Sequence, residues 1–345
     1  MASRKWPSAL AASAAMLALI LDSRTAFLGG AQGVELCIKT VIPSLFPFLF
    51  LTGIFSAAFQ RGQGTLLRLL GKVFRLPQEV SFVLVPALLG GYPIGAQCVF
   101  HSYRSGLLSK PQAERLLSYC SNVGPAFLFG ILSLKFQRNS TVWMIWVIQI
   151  LSIWTVSRIF GVKGSNAQAV VTKVEVAPEL PGIETALQAM LKICGWVILF
   201  RVVIEFLDKW LLHAASPALR VLLMGIVELS NGCCALNLIT QEQTRFIIGN
   251  ILLAFGGLCV AYQTGSVCPG LRLRYYYAGK MLQAVTAGIL AYGISNRIYV
   301  IFPLWAFLVM VIPNCLQKRV EIPGKLIYNG FHENGGMSYA VSQKD

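Results

Sequence analysis

From Val80 to Tyr103 the chain carries no Lys, Arg, Asp or Glu and is long enough to enter a bilayer, yet Gly90-Gly91-Tyr92-Pro93-Ile94-Gly95-Ala96 lies near its middle. Glycine and proline interrupt a helix there. A polar turn follows (Arg104, Ser109-Lys110-Pro111-Gln112, Glu114-Arg115), and the chain becomes apolar again through a second break, Ser121-Asn122-Val123-Gly124-Pro125. Broken backbone at membrane depth survives only where protein or a water-filled cavity satisfies the freed N–H and C=O groups. Two such breaks close together point to a binding cavity of the kind that discontinuous helices build in transporters.

The rest of the sequence fits a bilayer. With 345 residues, 56% hydrophobic and 12% charged, and a mean hydropathy of +0.65, too little polar surface exists for a soluble globule of this size. The expectation is an all-α, polytopic integral membrane protein, a helical bundle with two repeats containing broken or re-entrant helices. The net charge of +15 comes from basic residues scattered between apolar runs, a positive-inside pattern and not a nucleic-acid face. Most of the nine cysteines lie inside apolar runs, and the neighbours Cys233-Cys234 suit no ordinary bridge, so they read as small buried hydrophobes. His101, His213 and His332 are isolated, and no G-x-S-x-G elbow, Walker loop or H-E-x-x-H pair is present. Neither an enzyme, nor a cofactor, nor a metal site is expected.

Taken in order, residues 1–34 comprise an uncleaved apolar helix (Trp6 to Leu21, behind Arg4-Lys5) and a segment of mixed polarity from Asp22 to Lys39, expected as an interfacial helix or loop. Thr40 to Gln60 is uncharged, with Pro43 and Pro47 making its first turns irregular, and Arg61, Arg68, Lys72 and Arg75 follow as a positive-inside loop. Asn139 to Ser157 reads as a full crossing, and 161–182 as a polar linker between halves. Residues 35–160 and 183–271 are then two repeats. Glu35 to Phe55 corresponds to Glu184 to Ile204, and the two first-half breaks correspond to Glu228-Leu229-Ser230-Asn231-Gly232 and Ala254-Phe255-Gly256-Gly257. Apolar helices over 272–317 and a tail over 318–345 complete the chain.

An ionisable side chain within a span needs a reason. Glu228 sits between an apolar run and a break, where its carboxylate either holds a coupling proton or sodium ion, or caps a half-helix, or pairs with a basic residue such as Arg201. Asn122 and Asn231 offer amides to substrate or to freed backbone. Gln97 and Gln263 follow breaks at helical spacing, and either face the cavity or bond between helices. Arg201, Glu205 and Asp208 share one helical face, so an Arg201–Glu205 ion pair is expected. Gly90-Gly91 and Gly256-Gly257, together with Gly95 and Gly124, present backbone N–H groups at half-helix starts to an anion, or allow close helix packing.

Val41-Ile42-Pro43-Ser44-Leu45-Phe46-Pro47-Phe48, Gly91-Tyr92-Pro93-Ile94-Gly95-Ala96, Ser105-Gly106-Leu107-Leu108-Ser109-Lys110 with Ala113-Glu114-Arg115-Leu116-Leu117, and Asn122-Val123-Gly124-Pro125-Ala126-Phe127 resemble the YlbJ-type sporulation integral membrane proteins. That family carries the nucleoside-recognition or gate domain, similar to the cores of concentrative nucleoside transporters. Cys233-Cys234 and Val123 depart from its pattern. The resemblance implies a role in endospore formation, moving dipicolinate across the outer forespore membrane as a secondary carrier, with Tyr92 and Phe127 as aromatic neighbours of the substrate. The alternatives are a nucleoside as the substrate, and a non-transporting protein of spore morphogenesis.

Overall fold

The computed structural model describes residues 6–59, 64–162 and 183–320, and among them there is no strand. The first half comprises α1 (Trp6–Leu21), α2 (Ser23–Leu36), α3 (Ile42–Phe59), α4 (Thr65–Val73), α5 (Ile94–Arg104), α6 (Lys110–Leu116), α7 (Pro125–Ile131) and α8 (Asn139–Phe160). The second comprises α9 (Ile183–Leu207), α10 (Pro217–Val227), α11 (Leu229–Cys234), α12 (Glu242–Phe255), α13 (Gly257–Val267), α14 (Arg274–Ser295) and α15 (Ile301–Val320).

Helices satisfy their own backbone, which is what a chain this apolar needs in lipid. Ser23–Leu51, Asn139–Phe160 and Glu242–Val267 are long and apolar enough to cross a membrane, and Leu67–Val73 with Gln78–Gly90 form a pair bent by 98°. Large apolar side chains such as Phe27, Leu191, Leu211 and Phe307 point outward, as they do on a lipid-facing surface. The chain is an integral membrane protein built from helices, several of them interrupted.

Two segments differ from the reading of the sequence. The interfacial segment expected over 22–39 is instead part of a membrane-length helix, because α2 runs through a π turn at Cys37–Val41 into α3. Its small residues explain the fit: a Cβ on Gly29 would lie 2.9 Å from Val202 Cα, and one on Gly33 2.9 Å from Ile198 Cα, so α2 and α9 touch backbone to backbone. The π turn is also where the irregularity expected from Pro43 appears, since a proline nitrogen cannot close the ordinary bond. Much of the basic stretch expected as a loop after Gln60 forms α4, in which Leu67 is buried while Arg68 and Lys72 are exposed. Most of the polar linker, 163–182, and the tail from 321 onward lie outside the described residues.

α7, α8, α12 and α14 enclose one apolar cluster around Leu128, Ile145, Leu252 and Leu290, and a second gathers Leu84, Ala96, Leu116 and Tyr276. α8 and α12 are also joined by the Gln149 amide, which donates to Asn250 Oδ1 at 3.3 Å. The Arg201–Glu205 pair forms at 2.7 Å, whereas Asp208, on the same face by spacing, pairs with Arg220.

Candidate functional site

Four helix interruptions meet near the middle of the bundle. In the first half, a π turn over Pro86–Gly90 ends at Gly91 (φ +76°), the Tyr92–Pro93 peptide is cis, and α5 begins at Ile94. Farther on, Gly124 is extended and Pro125 opens α7, a position where the missing N–H costs nothing. In the second half α10 ends at Val227 and Glu228 is extended before α11, while α12 and α13 are separated by Gly256 and Gly257, both at φ +83°. These are the four places where Gly, Pro and polar residues interrupt apolar runs.

The two first-half breaks abut each other: a Cβ on Gly124 would lie 2.8 Å from Gly91 N. One of them also reaches the other half. The Tyr92 hydroxyl donates to Leu253 O at 3.2 Å, a carbonyl in the last turn of α12, where intrahelical partners run out. It rests where a Cβ on Gly256 would be, only 2.8 Å away. Positive φ and this close approach together require glycine at position 256.

Glu228 is 2% exposed and its carboxylate accepts from Ser230 N at 3.0 Å, Asn231 N at 2.7 Å and Asn231 Nδ2 at 2.7 Å. It caps α11 and is held at that helix's positive end. Gly91, Tyr92, Gly124, Phe127, Glu228, Ser230 and Gln263 line a cavity between the halves, walled on another side by Val41 of the π turn and Val197 of α9, with a water-accessible volume of about 30 Å³. That is room for water and not for an aromatic ring.

Of the residues singled out in the sequence, Gly91, Tyr92, Gly124, Phe127, Glu228 and Gln263 come together on this cavity. The others sit behind it. Gly90 is buried at the end of the π turn, and Gly95 packs where a Cβ would meet Cys120 O at 1.8 Å. Asn231 serves Glu228, and a Cβ on Gly257 would lie 2.9 Å from Gly225 O. Asn122 Nδ2 donates to Tyr119 O at 2.6 Å, and its Oδ1 faces a residue that sequence reasoning missed.

That residue is Lys280, 1% exposed, whose ammonium donates to Gln283 Oε1 at 3.0 Å, Tyr92 Oη at 3.2 Å and Asn122 Oδ1 at 3.2 Å. In the sequence it reads as a charge flanking the apolar run from Met281, close to Arg272 and Arg274. In the structure α14 starts at Arg274, which places Lys280 well inside the helix. The available signal was the spacing of Tyr276, Lys280, Gln283 and Ala287 along one helical face, all of them buried.

No family model matches the chain, and no solved structure matches it. The sequence is 22% identical over 330 residues to the sporulation integral membrane protein YlbJ of Bacillus subtilis (strain 168), covering 81% of this chain and 80% of that one. The similarity supports a YlbJ-type assignment. Its extent cannot be confined to one half, and it agrees with the motif resemblance and with an all-helical membrane fold.

Proposed function

We propose that this chain is a multi-pass carrier of a small anionic metabolite, dipicolinate, across the outer forespore membrane, with no enzymatic activity. One observation carries the reading: backbone breaks from both halves converge on one cavity, whose lining combines bare backbone at Gly91 and Gly124, the rings of Tyr92 and Phe127, and the Gln263 amide. A flat aromatic dicarboxylate matches that set, with its ring between aromatic side chains and its oxygens on backbone and amide donors. The two gate-type repeats supply one wall each, so relative movement of the halves widens the cavity to one side of the membrane and then to the other. Glu228 lies on the same cavity and is the group through which a proton or sodium ion couples to that movement. Its carboxylate caps α11, so a change in its protonation acts directly on the half-helix.

Ligand-dependent thermal stabilisation of the purified chain in detergent tests the substrate class. Dipicolinate is expected to raise the melting temperature while a panel of nucleosides leaves it unchanged. Stabilisation by nucleosides alone replaces the anion with a nucleoside as cargo, and stabilisation by neither leaves a role in spore morphogenesis without transport.

A further inference from the structure

Among the described residues, three charged side chains are buried: Glu114, Glu228 and Lys280. None of the three is in an ion pair among the described residues. Glu114 accepts from Arg272 N at 3.0 Å, and Glu228 accepts from two backbone N–H groups of the α11 cap and from the Asn231 amide. Lys280 is the cation among them. Its three acceptors are a phenol and two amides, all neutral, and none of the ion pairs among the described residues includes it. An unpartnered donor adjoins it: Gln283 is fully buried and spends Oε1 on Lys280, leaving its Nε2 donors without an acceptor. A buried lysine whose contacts are all neutral, next to unused amide donors, is a place where an anion is stabilised more than a neutral group.

Tyr92 connects this environment to the cavity. Its ring lines the cavity, and the ring centroid lies 5.0 Å from Lys280 Nζ. Its hydroxyl takes a hydrogen bond from the ammonium and gives one to Leu253 O. One side chain therefore separates the charge from the space where a substrate would sit, and little dielectric lies between to screen it. Resting on the carrier reading above, we infer that Lys280, with the Gln283 amide beside it, is the specificity-determining charge that selects an anionic substrate over a neutral one of the same shape. Lys280 does so from behind Tyr92, and displacement of that ring on opening brings carboxylate oxygens to the Lys280 and Gln283 donors.

The test compares pyridine-2,6-dicarboxylate, ionised at neutral pH, with its neutral diamide, by thermal stabilisation of the full chain in detergent. The wild-type protein is expected to prefer the dianion. In Lys280→Gln that preference falls by about tenfold or more, the worth of one charge-assisted contact, while binding of the diamide is kept. Should Lys280→Gln fail to fold, Asn122→Asp decides: it gives the ammonium an internal carboxylate partner and is expected to lose the dianion preference in the same way. A wild-type protein that binds dianion and diamide equally, or folded variants that keep the wild-type preference, overturns the role of Lys280 and leaves the carrier reading intact. A wild-type protein stabilised by neither probe overturns both.

Discussion

Glu228 shows how a carboxylate is kept in an apolar interior: it accepts from two backbone N–H groups freed by the break it sits in and from the Asn231 side-chain amide. Replacing it with alanine leaves buried donors unfilled, and Glu228→Ala is expected to destabilise the protein by about 2 kcal/mol or more. A melting temperature in detergent equal to that of the wild type contradicts this. The glycines separate by the same physics. Gly256→Ala puts a Cβ on a residue at φ +83° and against the Tyr92 hydroxyl, so a loss of about 1–3 kcal/mol is expected. A Cβ on Gly195 meets nothing within 4 Å, and Gly195→Ala in α9 is expected to be neutral or to stabilise by up to about 1 kcal/mol. Equal melting temperatures for these two variants would show that the break at 256 is not strained by a side chain. Glu228 was legible in the sequence because an acid inside an apolar run stands out. Lys280 was not, because it lies where a run begins and composition alone cannot tell a flanking charge from one carried inside by an earlier helix start.

At the scale of elements, all four interruptions were legible, since glycine and proline act on the backbone locally. What joins them was not. The Tyr92 bond to Leu253 spans 161 positions, and no local pattern encodes such a contact. Tyr92→Phe removes a donor to the α12 terminus and an acceptor from Lys280, so it is expected to cost about 1–3 kcal/mol and to speed amide exchange around the α12–α13 break. Unchanged exchange there rules out Tyr92 as the link between the halves. The helix pair α2–α9 was missed for a related reason: Ser23–Leu36 has mixed polarity along its length, and only the packing of Gly29 and Gly33 on Val202 and Ile198 reveals that one stripe of it meets α9. Gly33→Leu is expected to force this pair apart and lower the melting temperature by several degrees, and an unaltered melt would place α2 away from α9.

On the scale of the whole molecule, the membrane character follows from composition, and the division into halves from the order of the breaks. The structure adds that the breaks meet: residues from positions 41 to 263 line one small space. Two buried charges flank it, one closed into a helix cap and the other surrounded by neutral oxygens. On the carrier proposal, a site built this way holds an anion and releases it when the halves part. Uptake of radiolabelled dipicolinate into liposomes containing the purified chain tests that claim most directly. Accumulation above protein-free liposomes, reduced by Tyr92→Phe, is the predicted result. No uptake of dipicolinate under a proton gradient, a sodium gradient or a substrate gradient, from protein shown to be folded, is the result that contradicts it.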